Sequence, residues 1–469
     1  MKRIYILFFA AAASLTACKK SYLDLKPYDQ VALDIAIQTE GDMQAATNGI
    51  YSAMRNSSLY GRDVELRGDI LGDNVYISTT NSNRFLEYSA ITYIPSSTSV
   101  ANTWNAAYGA ILRANNVINS TIAANTNTNQ YRGEALALRA LLYLDLVKQY
   151  AKTYTAASAA TDLGVPLVLA YDPTLKPARS TVQAVYDQIE KDLLAAIPLL
   201  SSRSTYSSGY INKNAAKSIL ARVYLFKGDW AKALSTAQDV ITTGGYTLTT
   251  TSNYASYWSQ GTLRTDKTES LFEISFDPNG NAGNESLPYF FLQAGYGDAL
   301  AANSFYETFS TTDVRRALMV DGTRGGKTVK IINKYPSNIN YTIKMVRLSE
   351  TYLIAAEAAY QSGNQPLALT YVNAVATRRD PAFIGYVSAG TQLLEDILTE
   401  RRKELAFEGF RYWDLQRYNR DVVRINSNNN YAANVPLVFA KDNFRRILPI
   451  PQGEGDANPN IKSQQNPGY

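Results

Sequence analysis

Two stretches of the chain repeat one another, and that repeat constrains the fold more than any other feature. Leu220–Ile241 reads LARVYLFKGDWAKALSTAQDVI and Ala355–Ala376 reads AAEAAYQSGNQPLALTYVNAVA. Aligned on Gly228 and Gly363, small residues coincide at Ala221/Ala356 and at Ala233/Ala368. A small residue where two helices touch, a Gly at the turn and an Ala in the second helix are what close packing of an antiparallel helix pair requires. Other helical hairpins share part of this pattern.

The arrangement is the tetratricopeptide pattern, and helical periodicity governs much of the remaining chain. Gly133–Tyr150 (GEALALRALLYLDLVKQY) has apolar residues at helix spacing and few breakers. Ser180–Leu200 opens with Ser180 as the expected N-cap. Together these two segments predict a further helix pair with a long insertion between its members. Asn214–Thr243 and Arg347–Arg379 each read as helix, Gly break, helix, and Gln392–Tyr418 reads as another long helical stretch. From about Gly244 to Ile343 the periodicity fades while Gly, Asn, Ser, Thr and Tyr rise. There Glu269–Phe276 (ESLFEISF) predicts a strand, and the rest predicts ordered loops, where binding residues concentrate. A second such stretch runs from Asp69 to Ser99. The expected fold is mainly α: a tetratricopeptide-like helical hairpin scaffold, an irregular loop-rich ligand-binding part and a few short strands. No Pro/Gly/Ser linker cleanly divides the chain. An N-terminal helical part, 18–245, and a C-terminal part, 246–469, are expected to form one interwoven unit.

Two counts remove whole classes of chemistry. The 469 residues include no histidine and one cysteine. Ser-His-Asp triads, Cys-His dyads, His-ligated zinc and haem with a proximal His are therefore excluded. Intramolecular disulfides and cysteine-ligated clusters are excluded too. Carboxylate chemistry, Ser/Lys chemistry and oxygen-ligated calcium or magnesium remain open. The formal charge is +5, with bases mixed among acids and no long basic run, which argues against a nucleic-acid partner. Tyrosine is abundant, at 34 residues against 15 Phe and 4 Trp. An apolar ring with a polar tip suits a half-exposed binding surface.

The single cysteine has a telling position. Met1-Lys2-Arg3 precede an apolar stretch, Ile4–Ala13, and then Leu15-Thr16-Ala17-Cys18. A basic start, a short apolar core and small residues before a cut site predict a secretory signal over residues 1–17. Leu-Thr-Ala-Cys is a lipobox, so Cys18 is expected to become the lipid-bearing first residue of the mature chain. An ordinary signal peptide with an incidental cysteine is the alternative. A bacterial anchor carries several acyl chains, more than the single chain that binds membranes only marginally. Lys19 to about Tyr28 reads as a tether.

Several blocks, in chain order, resemble the SusD/RagB family of outer-membrane nutrient-binding lipoproteins. They are Cys18 with Tyr22-Leu23-Asp24 and Pro27, then Gly164-Val165-Pro166-Leu167-Val168, then Arg179-Ser180-Thr181-Val182. The charge-rich block from Glu400-Arg401-Arg402-Lys403-Glu404 through Glu408-Gly409-Phe410-Arg411-Tyr412-Trp413-Asp414-Leu415 follows. The tail adds Leu448-Pro449-Ile450-Pro451 and Asn466-Pro467-Gly468-Tyr469. The resemblance implies a helical scaffold with an irregular ligand-binding part and no enzymatic activity; no cofactor is expected, and no residue is assigned to a metal. It implies a lipid-anchored protein at the outer membrane, exposed on the cell surface. Its implied role is to capture oligosaccharides, or in some branches peptides, for a SusC-like TonB-dependent outer-membrane transporter.

The residues offer several candidate sites. Glu404 and Glu408 lie four apart on one helix face, a conceivable carboxylate pair. Arg401 and Lys403 beside them point instead to a salt-bridged face. A sugar ring is held by an aromatic platform and by polar groups at its hydroxyl rim. The expected ligand contacts are therefore Arg67, Asp69, Asp73, Asn74, Tyr76 and Arg84 in the first loop region, with Asn81 beside them. In the second region they are Tyr257, Trp258, Tyr289 and Tyr296, among the further aromatics Tyr254, Phe290 and Phe291. Asp277–Asn281 is expected to be a plain Asx/Gly turn rather than a calcium loop. Gly322–Gly326 lacks the lysine-serine pair of a phosphate loop and is given no nucleotide role. Three readings of function follow: a surface binding protein, a carboxylate-based glycosidase and a tetratricopeptide adaptor for proteins. The first agrees with most of the features.

Overall fold

The computed structural model describes residues 36–200, 205–427 and 430–469. The expected signal peptide, 1–17, and the lipidation site Cys18 lie outside them. Helices of seven residues or more run in the order α1 (Glu40–Met54), α2 (Asp63–Ile70), α3 (Thr98–Ile118), α4 (Thr126–Tyr150), α5 (Val182–Leu199), α6 (Lys213–Lys227), α7 (Trp230–Thr243), α8 (Leu348–Gln361), α9 (Gln365–Arg379), α10 (Gly390–Glu404) and α11 (Arg411–Arg417).

The repeat noted in the sequence is a pair of helical hairpins built alike. Gly228 ends α6 with φ +72°, and Gly363 follows α8 with φ +81°; both are left-handed positions that Gly adopts without strain. The next residue in each case, Asp229 or Asn364, caps the following helix through its side chain. Ala221, Ala356, Ala233 and Ala368 are all fully buried, where a larger side chain would hold the helices apart. Within each hairpin the helices pack together, and α7 of one packs on α8 of the other. The long α4 packs on α5 across an intervening insertion, as the sequence predicts.

Two boundaries differ from expectation. The cap of α5 is Thr181, whose hydroxyl accepts from the Ala184 amide at 3.1 Å. Ser180 is spent on the backbone, donating to Val165 O and accepting from the Gly164 amide. The Gln392–Tyr418 stretch is two helices, α10 and α11. Phe407 and Gly409 between them take φ of +64° and +76°. A Cβ built on Gly409 would lie 2.6 Å from Glu65 Cα, so the break is set by α2 lying against it.

The strands join the two irregular regions. A four-stranded antiparallel sheet has the order β1 (Val75–Ile77), β3 (Ala299–Ala301), β5 (Lys327–Ile332), β4 (Met319–Arg324). Tyr76 sits opposite Leu300, so the early loops are stitched to the later ones across more than 200 residues of sequence. The Gly322–Gly326 stretch holds the tight turn between β4 and β5. The predicted strand forms as β2 (Ser270–Phe276), paired with β6 (Tyr341–Arg347). A small pair, β7 (Val422–Val423) and β8 (Val438–Phe439), completes the strands named here.

The charge-rich C-terminal block lies inside the protein. Glu404 is fully buried and accepts from Arg347 at 2.8 Å and from Arg379 at 3.0 Å. Glu408 accepts from Lys334 at 2.7 Å and from Arg347 at 2.7 and 2.8 Å. Burial pushes the Glu404 carboxyl up, but the Arg379 and Arg347 guanidiniums outweigh it and hold the group well below the usual range. A carboxylate so paired and so dry is a structural anion, and it offers no proton for glycosidic chemistry. The other blocks are clamped together likewise: Arg179 donates to Asn466 Oδ1 at 2.9 Å, and Asn466 donates to Leu448 O and Tyr150 O.

Candidate functional site

Most of the polar residues expected to meet a ligand hold the loops from within. Arg67 is fully buried, donating to Thr103 Oγ1 at 2.9 Å and to Gln149, with its guanidinium 4.7 Å from the Tyr88 ring. Asp69 is fully buried and accepts from the Gly409 amide at 2.9 Å and the Phe407 amide at 3.3 Å. Burial pushes its carboxyl up to about 7 against those amides. Asp73 is gripped by Arg411 at 2.6 and 2.9 Å, and Asn74 accepts from Arg402 at 2.7 Å. Tyr76 packs 5.5 Å from Tyr431. Tyr257 and Trp258 are buried as well. Tyr257 OH lies 2.8 Å from Ser270 Oγ, and Trp258 lies under the Lys334 ammonium at 3.9 Å. Tyr254, Phe290 and Phe291 are also core residues. All of these support the irregular region rather than line an open surface.

Arg84, Tyr289 and Tyr296 are different: each keeps solvent-facing surface, and the three meet. Arg84 lies 4.3 Å over the Tyr296 ring, and Tyr289 meets Tyr296 edge-on at 4.8 Å. Local geometry puts them there. Asn83 and Phe85 take φ of +62° and +58°, left-handed positions that bracket Arg84. Asn81 Oδ1 accepts from the Asn83 amide at 2.7 Å, and buried Asp298 accepts from the Ser82 amide. The second loop is strapped down by three arginines. Arg55 donates to Gly280 O at 2.6 Å, Arg62 to Glu285 O at 3.3 Å, and Arg84 to Glu285 Oε1 at 2.9 Å. Asp277 accepts from the amides of Asn279 and Gly280, an Asx turn as expected.

A cavity of about 250 Å³ opens beside Arg84 and Glu285, lined by Ser58, Arg62, Asp63, Arg84, Phe85, Glu87, Thr98, Asn102 and Glu285 among others; Tyr289 and Tyr296 stand outside its lining. Pockets for drug-sized ligands span about 300–1,000 Å³, so this one suits a small unit of a larger molecule. Arg62 is held 2.6 Å from Asp63 and by Glu285, and it lies 5.1 Å over both the Phe85 and Phe290 rings. Burial pushes the Asp63 carboxyl up against the pull of Arg62. Glu87 accepts from Ser97 at 2.6 Å and from Ser99. Sequence reasoning missed Arg62, Phe85, Glu87 and Glu285. Glu285 lies 223 residues from Arg62 along the chain, and no local pattern marks either. A larger cavity, about 610 Å³, lies between α1 and α3 over Ala45, Ala46 and Gly49; it contains none of the expected loop residues. Among the described residues no group of His, Cys, Asp or Glu is arranged to hold a metal ion.

The fold and the chain match known proteins along nearly their whole length. A family model described as "Starch-binding associating with outer membrane" matches residues 21–225, and a model of the SusD family matches residues 293–469. A putative sugar binding protein from Bacteroides vulgatus superposes with a TM-score of 0.84 at 32% identity, over 92% of this chain and 99% of that one. The chain belongs to the SusD family. A SusD superfamily protein from Bacteroides thetaiotaomicron matches with a TM-score of 0.83 at 32% identity, over 92% of this chain and all of the other. SusD-like protein P2 of Formosa agariphila is 27% identical over the whole of both chains. As a SusD-family protein the chain is not an enzyme, and its helical scaffold is that of the family.

Proposed function

We propose that the protein captures glycans at the outer membrane and hands them to a SusC-like TonB-dependent transporter. The observation that carries this reading is the Arg84–Tyr296–Glu285 junction. Half-exposed rings stand beside a rim of charged and hydroxyl groups, which is what the apolar face and hydroxyl edge of a sugar require. The family description and the sugar-binding relative support the same ligand class. Cys18 supplies the lipid anchor and holds the protein at the cell surface. The transporter supplies the energy, and the protein closes over it as a lid.

Affinity electrophoresis of the chain lacking residues 1–18, against a panel of polysaccharides, tests the binding step. Retardation by a glycan without release of sugar is expected, and Arg84→Ala should weaken it about tenfold, the loss of one charge-assisted hydrogen bond and one stacked cation. Retardation by no glycan would refute the ligand class and favour peptides. Unchanged uptake of a limiting glycan after deletion of the protein would refute the delivery step.

A further inference from the structure

The charges around the 250 Å³ cavity identify the kind of glycan it takes, granted the glycan-capture reading above. The wall has two cations, Arg62 and Arg84, and three carboxylates, Asp63, Glu87 and Glu285. Neither cation is spare. Arg62 is matched by Asp63 and Glu285, and Arg84 by Glu285 at 2.9 Å. A uronate or sulfate ester entering here finds no uncommitted cation, and it meets Glu87 and Glu285 as like charges. It could take the arginines only by displacing Glu285. The backbone that carries Glu285 is fixed from both sides: its carbonyl accepts from Arg62, and two residues on the Leu287 amide donates to Gly61 O. Uncharged sugar hydroxyls meet no such obstacle. The Glu285 side chain is 43% exposed and can accept from them, while the guanidinium edges remain donors.

We infer that Glu285 is a specificity-determining residue that makes this site select uncharged glycans and refuse uronate- or sulfate-bearing ones. By occupying both arginines it sits where an acidic ligand would otherwise be bound. Specificity here comes from a built-in repulsive element as much as from an attractive one.

The test compares matched probes on one backbone: pullulan with carboxymethyl-pullulan, hydroxyethyl-cellulose with carboxymethyl-cellulose, and dextran with dextran sulfate. Affinity electrophoresis of the chain lacking residues 1–18 should show retardation by a neutral member and much less by its acidic partner. Glu285→Gln should shift the ratio of acidic to neutral retardation about tenfold toward the acidic member, an effect that added salt abolishes. Glu87→Gln should move the ratio the same way without touching the arginine strap, which covers the case where Glu285→Gln loosens the loop. A wild-type preference for the acidic member, or a ratio unmoved in both variants, would overturn the inference while leaving glycan capture intact. Retardation by none of the probes, nor by the wider panel, would overturn the glycan reading and the selectivity with it.

Discussion

Asp69 offers a prediction whose size follows from its surroundings. Its carboxyl is fully buried against the Phe407–Gly409 turn, and burial raises it from 3.8 to about 7. The folded protein therefore binds a proton at this site more tightly than the unfolded chain does. The stability this contributes is complete at low pH and is lost as pH rises from about 4 through 7. Each pH unit in that window costs about 1.4 kcal/mol, so between pH 5 and pH 8 the wild type loses about 3 kcal/mol through Asp69 alone. Asp69→Asn has no proton to lose. It carries a constant penalty, because its amide faces a backbone N–H that the carboxylate accepts. The difference in unfolding free energy, variant minus wild type, should therefore rise by about 3 kcal/mol from pH 5 to pH 8 and level off above. Guanidinium chloride denaturation of both proteins at four or five pH values measures it, and the pH dependence of groups that do not interact with Asp69 cancels in the difference. A flat difference would refute the reasoning, since it would mean that the folded protein holds Asp69 ionised throughout.

Four further variants test the scaffold by the same denaturation assay. Gly363→Ala places a Cβ in open space but at φ +81°, so backbone strain alone should destabilise by about 1 kcal/mol; Gly49→Ala, inside α1 and equally uncrowded, should stabilise by about 0.5–1 kcal/mol. Asp192 pairs with buried Arg139 through two hydrogen bonds of 2.7 and 2.8 Å, and Asp192→Ala should cost about 3–5 kcal/mol by stranding the guanidinium. Replacing both partners by leucine and methionine should recover most of that loss.

The scaffold was legible because its signals are local. The Gly228 and Gly363 turns, the buried Ala positions and the long α4 pattern each lie within a few helical turns of sequence, so periodicity reports them directly. The structural role of the Glu400–Asp414 block was legible for a related reason. Mixed charges at helix spacing imply pairing, although the partners Arg347 and Arg379 could not be named. The helix break at Phe407–Gly409 was not legible, because α2, more than 300 residues earlier, imposes it.

The site divides along the same line. Composition and chain order determined the kind of protein: a mainly helical, tyrosine-rich chain without histidine, whose motifs resemble one family of binding proteins. They also marked the two irregular regions. Which residues of those regions face solvent was decided only in three dimensions. Arg67, Asp69, Asp73 and Asn74 look like ligand contacts as letters, yet they are buried because distant partners satisfy them: Gln149, the 407–409 amides, Arg411 and Arg402. Arg84, Tyr289 and Tyr296 remain open because β1 pairs with β3 and Glu285 bridges two arginines from other segments. A side chain's chemistry is written in the sequence, but its exposure and charge balance depend on neighbours that only the folded chain brings within a few ångströms.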